Sequence, residues 1–184
     1  ELDMTVKKDL SAAMSQKTLI RVEREELEAD YLDGYVLNLS NDLMLFQIVE
    51  SLIIFNGYVV VRMCDITSIE MPAPNFEFVE QALKLRGEKI EKPLDINLSS
   101  MTTVFTSAGE KYPLVTIHLE EIDSEICHVG RVVSADEKSL TLIEIAPNAK
   151  WESDPTTYSV TDITQVDFGG KYEDALHLVS RANG

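Results

Sequence analysis

Residues 19–28 read LIRVEREELE, and residues 114–123 read LVTIHLEEID. The two stretches carry apolar residues at matching positions, and each contains an acidic pair, Glu25-Glu26 in the first and Glu120-Glu121 in the second. Alternating apolar residues with many β-branched side chains are typical of a half-buried β-strand. Each stretch is therefore predicted to begin with a strand, and the recurrence indicates that one β-rich unit occurs twice.

Four further blocks of sequence recur in the same order. They pair residues 34–37 with 130–133, 43–48 with 140–145, 65–70 with 162–167, and 79–85 with 172–178. Five blocks in one order indicate a duplication, since chance similarity would explain only one of them.

The repeat divides the chain into four segments. In order, they are an N-terminal segment without a strong pattern, the first repeat, a joining segment and the second repeat. Their bounds are 1–16, 17–87, 88–112 and 113–184. About five strands followed by a short helix in each repeat predict a mostly β fold of two tandem five-stranded barrels. Because domains of roughly 70 residues are marginally stable alone, pairing of the units or oligomerisation is expected.

Residue types that favour turns predict where the hairpins lie. Residues 40–42 and 135–138 are predicted turns between the second and third strands, and Asn56-Gly57 marks the next hairpin in the first repeat. A longer polar loop at 147–155 replaces that hairpin in the second repeat and contains the only tryptophan, Trp151.

Helical periodicity follows the last strand of each repeat. In the first, Asn75 is predicted to cap the helix and Gly87 to end it. The second helix is predicted to bury one face, made of Tyr172, Ala175, Leu176 and Val179. In the joining segment, residues 102–106 have strand propensity and are predicted to pair with residues 114–119.

The net charge of the chain limits the classes of molecule that it is expected to bind. The chain of 184 residues has a formal net charge of −16, and both halves are acidic. Such a field disfavours nucleic acid, whose binding needs clustered lysine and arginine. No stretch is apolar enough for a membrane span, and Cys64 and Cys127 lie at non-equivalent positions of the repeats. We therefore expect a protein without membrane association, with reduced thiols, in the cytoplasm.

The repeat resembles the Sm-like and SH3-like small barrels. Residues 32–36 and 128–132 match the apolar-x-Gly-x-apolar part of the Sm signature, and Asp136 matches its turn aspartate. The resemblance implies a small barrel in each repeat. It departs from the family at the RNA-contacting pair, where this chain has Leu43-Met44 and Ser139-Leu140. The same arrangement also looks like a recurring pattern of bacterial hypothetical proteins.

Four recurring residues are interpreted as structural. Gly34 and Gly130 suit strong strand curvature, whereas Asp65 and Asp162 each precede a strand as part of an Asp-Ile-Thr sequence. There an aspartate is expected to accept a hydrogen bond from a backbone amide two residues on and so to organise a turn.

The candidate partner contacts are one aromatic residue in a polar loop and the two acidic pairs of the repeat. They are Trp151, Glu25, Glu26, Glu120 and Glu121. A dense acidic run is usually a solvated face or a protected edge, and its functional alternative is a face for a basic partner. The tryptophan either anchors a partner or folds over its own barrel.

No catalytic, cofactor or metal site is predicted. His118, His128 and His177 lack metal-ligand spacing, and no phosphate-binding loop or nucleophile elbow occurs in the sequence. The function expected is a non-enzymatic interaction or scaffold protein that associates with itself or with another protein, through strand edges or through the surface between the repeats. The alternatives are an RNA-binding Sm-like module and an acidic inhibitor or immunity-type protein for a basic partner.

Overall fold

The computed structural model describes residues 4–27, 29–93 and 95–182. Within these residues the protein is mostly β, with ten strands and four α-helices. The chain divides into two compact units, Glu1–Pro93 (unit 1) and Leu94–Gly184 (unit 2).

Unit 1 consists of a helix, four strands, a 3₁₀ turn, a fifth strand and a second helix. In chain order these are α1 (Met4–Gln16), β1 (Ile20–Glu23), β2 (Leu32–Leu39), β3 (Leu43–Val49), β4 (Phe55–Arg62), the 3₁₀ turn Met63–Asp65, β5 (Ser68–Glu70) and α2 (Phe76–Leu85). A further 3₁₀ turn, Glu25–Leu27, follows β1. The strands pair antiparallel in the order β5-β1-β2-β3-β4, so the last strand returns to the first.

Unit 2 repeats this order of elements. It contains α3 (Met101–Lys111), β6 (Val115–His118), β7 (Cys127–Ala135), β8 (Ser139–Glu144), β9 (Thr156–Ser159), the 3₁₀ turn Val160–Asp162, β10 (Gln165–Phe168) and α4 (Lys171–Ala182). Its strands pair antiparallel in the order β10-β6-β7-β8-β9. The shared order agrees with the duplication inferred from the sequence.

Both units contain a bulge at the same place in the second strand. The register shifts between Val36 and Asn38 in unit 1, and between Val132 and Ser134 in unit 2. A bulge bends and twists its strand, which gives a small sheet its curvature. Among the described pairings, however, β5 does not pair with β4 in unit 1, nor β10 with β9 in unit 2. The closed barrels predicted from the sequence are therefore not confirmed.

The core of unit 1 lies between α1 and the sheet. Leu10 and Ala13 of the helix are buried against Ile20, Met44 and Phe46. The helix itself lies in the segment that showed no strong pattern, and its two buried residues are spaced three apart, on one helical face. Tertiary burial of that face, rather than strong amphipathic periodicity, stabilises α1.

Helix α3 lies where the sequence predicted a strand at residues 102–106, so the strand prediction is wrong. The Ser100 side chain accepts a hydrogen bond from the amide of Thr103, and the Thr103 hydroxyl accepts one from the amide of Ser100. This reciprocal cap starts a helix that buries Val104, Phe105 and Ala108 at helical spacing. The cap and that spacing outweigh the β-propensity of the threonines.

The two turns between second and third strands are confirmed, but the predicted Asn56-Gly57 hairpin is wrong. The amide of Ser40 donates to the Leu43 carbonyl, and that of Asp136 to the Ser139 carbonyl, each at 2.9 Å. Asn56-Gly57 lies inside β4, where Gly57 has a φ of 74° beside a register shift. The hairpin turns earlier, at residues 50–54.

The helix boundaries are predicted in part. Gly87 ends α2 with a φ of 74°, as expected of a left-handed C-terminal residue. Asn75 precedes α2 but has a φ of 58° and makes no side-chain cap, so the capping prediction is wrong. In α4 the predicted apolar face is also wrong, because only Leu176 of its four residues is buried, together with Glu173.

Candidate interaction surfaces

Gly34 and Gly130 lie where two strand backbones approach too closely for a side chain. A Cβ atom at Gly34 would lie 2.1 Å from the Gln47 carbonyl oxygen, and one at Gly130 would lie 2.6 Å from the Ile143 carbonyl oxygen. Both glycines precede the bulge by two residues. Close backbone approach at a bend explains why glycine occupies the same position in both units.

Asp65 and Asp162 both end a 3₁₀ turn, but the predicted aspartate-to-amide hydrogen bonds are not the ones formed. The amide of Thr67 donates to the Glu23 carbonyl, and that of Thr164 donates to the His118 carbonyl, each at 2.9 Å. Asp65 instead accepts hydrogen bonds from Arg62, at 2.6 Å and 2.9 Å. In each unit, the carbonyl oxygen at the end of the first strand, β1 or β6, thus fixes the residue that precedes the last strand.

The acidic pairs divide into exposed and buried members. Glu25, Glu26 and Glu121 are exposed. Glu120 is buried, and its carboxylate accepts a hydrogen bond of 2.5 Å from the Thr164 hydroxyl. It therefore supports the β6–β10 junction rather than an acidic partner face. Glu28, which belongs to the same acidic run, lies outside the described residues.

Trp151 lies in the loop between β8 and β9 and forms a bridge with Ile145. Its side chain is 39% exposed, and the guanidinium of Arg131 lies 5.3 Å from the ring centroid. Such a cation–π contact holds the ring against its own unit while part of the side chain stays exposed.

Unit 2 gathers polar side chains on one face of β6, β7 and β10. His118 Nε2 lies 2.7 Å from Asp167 Oδ2, and the Gln165 side chain donates to the other oxygen of Asp167 at 2.7 Å. Cys127 lies opposite His118 in the β6–β7 pairing.

The thiol of this group is a poor nucleophile. Burial raises the pKa of Cys127, and the negative charges of Asp167 and Glu173 raise it further. A raised pKa leaves the thiol protonated near neutral pH, whereas nucleophilic attack needs the thiolate. Over the described residues, no three His, Cys, Asp or Glu side chains are arranged to hold a metal ion.

A groove of about 810 Å³ crosses unit 1 beside the start of α2. We call it the α2 groove, and its walls include Asp30, Tyr31, Leu32, Glu50, Phe78 and Val79. Phe78 is 64% exposed and Tyr31 is 54% exposed, although both are large aromatic residues. Exposed aromatic side chains beside a groove mark surfaces that bind other molecules.

One side of the α2 groove is held by a charged cross-strand pair. The Arg21 guanidinium donates to both carboxylate oxygens of Asp33, each at 2.8 Å, and lies 3.6 Å from the centroid of the Tyr31 ring. The hydrogen bond to Asp33 raises the pKa of Arg21 further. This stack fixes Tyr31 at the rim and neutralises Asp33, which leaves Asp30 and Glu50 as the anions of the groove.

Strand β5 ends the strand order of unit 1 beside β1, and strand β9 ends that of unit 2 beside β8, so each has one neighbour within its unit. In β9, Thr156, Thr157 and Ser159 are exposed, and the strand carries no charged residue and no proline. Charged residues and proline are the features that oppose pairing at a strand edge, so an edge that lacks both can pair with a further strand.

No family model, curated protein or solved structure matches the chain. Over the described residues, no helix is both long and apolar enough to cross a bilayer.

Sequence reasoning missed the α2 groove. Phe76 and Val79 belong to the apolar face of α2, whereas Phe78 falls outside it and is exposed. A large aromatic residue away from the apolar face of an amphipathic helix was the available signal. Tyr31 gave no comparable signal, because its position depends on a pairing between two strands.

Proposed function

We propose that the protein is a non-enzymatic interaction or scaffold protein of the cytoplasm, built from two Sm-like units that assemble through strand edges. The observation that carries the proposal is that β5 ends the strand order of unit 1 and β9 ends that of unit 2. Strand addition at an edge supplies main-chain hydrogen bonds for affinity, and side chains alternating along the edge supply selectivity.

The Sm-like assignment of the units is part of the proposal. It is supported by the glycine in each second strand, the bulge after it, and the 3₁₀ turn before each last strand. The turn aspartate Asp136 supports it further, since its carboxylate accepts hydrogen bonds from the amides of Lys138 and Ser139, each at 2.8 Å.

The structure gives no support to the RNA-binding alternative at the positions where Sm-like proteins contact a base. Leu43, Met44 and Leu140 are buried in the sheets, so their side chains are not presented to a ligand. A basic partner is better supported, because Glu25, Glu26 and Glu121 are exposed on a chain of net charge −16. That partner is a second candidate within the interaction role.

The proposal is tested by charging the β9 edge. Thr156→Lys places a positive charge on an exposed edge position, where it opposes pairing with a further strand. Ser134→Lys is the matched control, because Ser134 is equally exposed in the same unit but lies in β7 rather than on the β9 edge. Light scattering after size exclusion and affinity capture from source lysate, with and without nuclease, are measured on all three proteins.

We expect the unsubstituted protein and Ser134→Lys to form an assembly or retain a nuclease-resistant protein partner, and Thr156→Lys to lose it. A monomer with no retained partner would contradict the proposal, as would an assembly unaffected by Thr156→Lys. Recovery of RNA, with partners lost on nuclease treatment, would favour the Sm-like RNA role instead.

A further inference from the structure

The charge of the α2 groove selects one sign of ligand. Asp30 and Glu50 line it, and the one arginine in its wall, Arg21, is neutralised by Asp33. The chain as a whole adds a strongly negative field. Lysine or arginine is therefore attracted to this groove, and a carboxylate or phosphate is repelled.

The apolar part of the groove favours a ligand that carries an apolar group as well as a positive charge. Phe78 and Tyr31 stand exposed at its rim, and Leu32 and Val79 lie along its walls. Burying aromatic surface is worth about 25 cal/mol for each Å² removed from water. A ligand that covers these rings must present a large apolar side chain close to its positive charge.

The groove is preformed on its loop side. The loop at residues 50–54 is held to α2 by Arg86, whose guanidinium donates to the carbonyl oxygens of Leu52 at 2.6 Å and Ile53 at 2.8 Å. Ile53 and Asn75, which both line the groove, have φ values of 57° and 58°. Positive φ is rare for a β-branched residue, and such strain is often found at binding sites.

Unit 2 lacks these groove side chains. The repeat and the strand pairing place Thr116 where unit 1 has Arg21, and Val129 where it has Asp33. Thr116 is buried and donates a hydrogen bond of 2.5 Å to Glu173. The cross-strand pair that supports Tyr31 in unit 1 therefore has no counterpart at the equivalent position of unit 2.

We propose that the α2 groove binds a peptide segment of another protein in which lysine or arginine lies next to a large apolar residue. This inference rests on the proposed interaction role and names the chemistry of the partner. The groove belongs to unit 1 and the β9 edge to unit 2, so either proposal can fail without the other.

The test pans a phage library of random linear peptides against the full chain. We expect the enriched peptides to combine a basic with a large apolar residue. A labelled peptide made from the strongest clone is then titrated by fluorescence anisotropy. We expect Phe78→Ala to weaken its binding about tenfold or more, as loss of an aromatic anchor does.

Charge is tested separately with the double variant Asp30→Asn/Glu50→Gln, which we expect to weaken binding and flatten its dependence on salt between roughly 50 and 500 mM. Leu85→Ala is the matched control, since Leu85 is exposed on the same helix but does not line the groove. It should leave binding unchanged.

Absence of enriched peptides, enrichment of acidic peptides, or binding that Phe78→Ala does not weaken would each overturn the inference. Phe78→Ala should leave intact the β9 edge assembly, which Thr156→Lys is expected to disrupt. An assembly that Thr156→Lys does not disrupt, with peptide binding as expected, would contradict the proposed edge mechanism and leave the groove assignment standing.

Discussion

Replacing Gly34 by alanine tests whether close strand approach shapes unit 1. The new Cβ would lie 2.1 Å from the Gln47 carbonyl oxygen, which is roughly 1.3 Å short of ordinary contact. Strand β2 must therefore move away from β3, and a shift of about 1 Å stretches interstrand hydrogen bonds beyond the distance at which they hold. Losing two or three of them, at about 0.5–1.5 kcal/mol each, predicts a destabilisation of about 3 kcal/mol.

That loss is large against a total stability of about 5–15 kcal/mol, so urea unfolding followed by far-ultraviolet circular dichroism should show it clearly. Gly87→Ala is the matched control: open space surrounds its new Cβ, and only its φ of 74° opposes alanine, at about 1 kcal/mol. If Gly34→Ala lowers the free energy of unfolding no more than Gly87→Ala does, the close-approach explanation is wrong.

Two further predictions concern unit 2, where Trp151 is the only tryptophan of the chain and reports unfolding by fluorescence. Thr116→Val removes the hydroxyl that donates to the buried Glu173 carboxylate, and we expect the free energy of unfolding in urea to fall by about 1–3 kcal/mol, with Thr156→Val at an exposed position of β9 as control. Hydrogen bonds from the amides of Lys138 and Ser139 lower the pKa of Asp136 below its usual 3.8. Since the folded pKa is the lower one, the stability that Asp136 contributes is present above about pH 4 and is lost as pH falls through the folded pKa. Unfolding measured against Asp136→Ala should show the two proteins converge in acid, and a constant difference down to pH 2 would contradict the assignment.

The repeated parts of the fold were predictable because they depend on local sequence. The glycines at 34 and 130 and the turns at 40–42 and 135–138 require particular residue types at fixed offsets, so they stand out in a self-comparison. The first helix of each unit did not stand out in that comparison. Residues 4–16 and 101–111 fold as helices because the neighbouring sheet buries one face of each.

Errors arose where a local signal was overruled by pairing over longer distances. Asn56-Gly57 is a strong hairpin signal, yet the strand pairing places it within β4 and turns the chain at 50–54 instead. Asp65 was expected to organise its own turn, but the carbonyl of Glu23 on β1 accepts the amide of Thr67. A partner more than forty residues away in sequence cannot be inferred from a short motif.

The candidate site shows what the two units share and where they differ. In both, an acid in the last helix accepts a hydrogen bond from a hydroxyl on the sheet: Glu80 from Tyr35 at 3.3 Å, and Glu173 from Thr116 at 2.5 Å. This contact fixes the helix on its sheet, and a structural need explains its presence twice. Arg21, which stacks on the Tyr31 ring, has no such shared role, because unit 2 has the buried Thr116 in its place. A feature found in one copy is better explained by binding than by a structural need that both copies share, and it supports the peptide site proposed in unit 1.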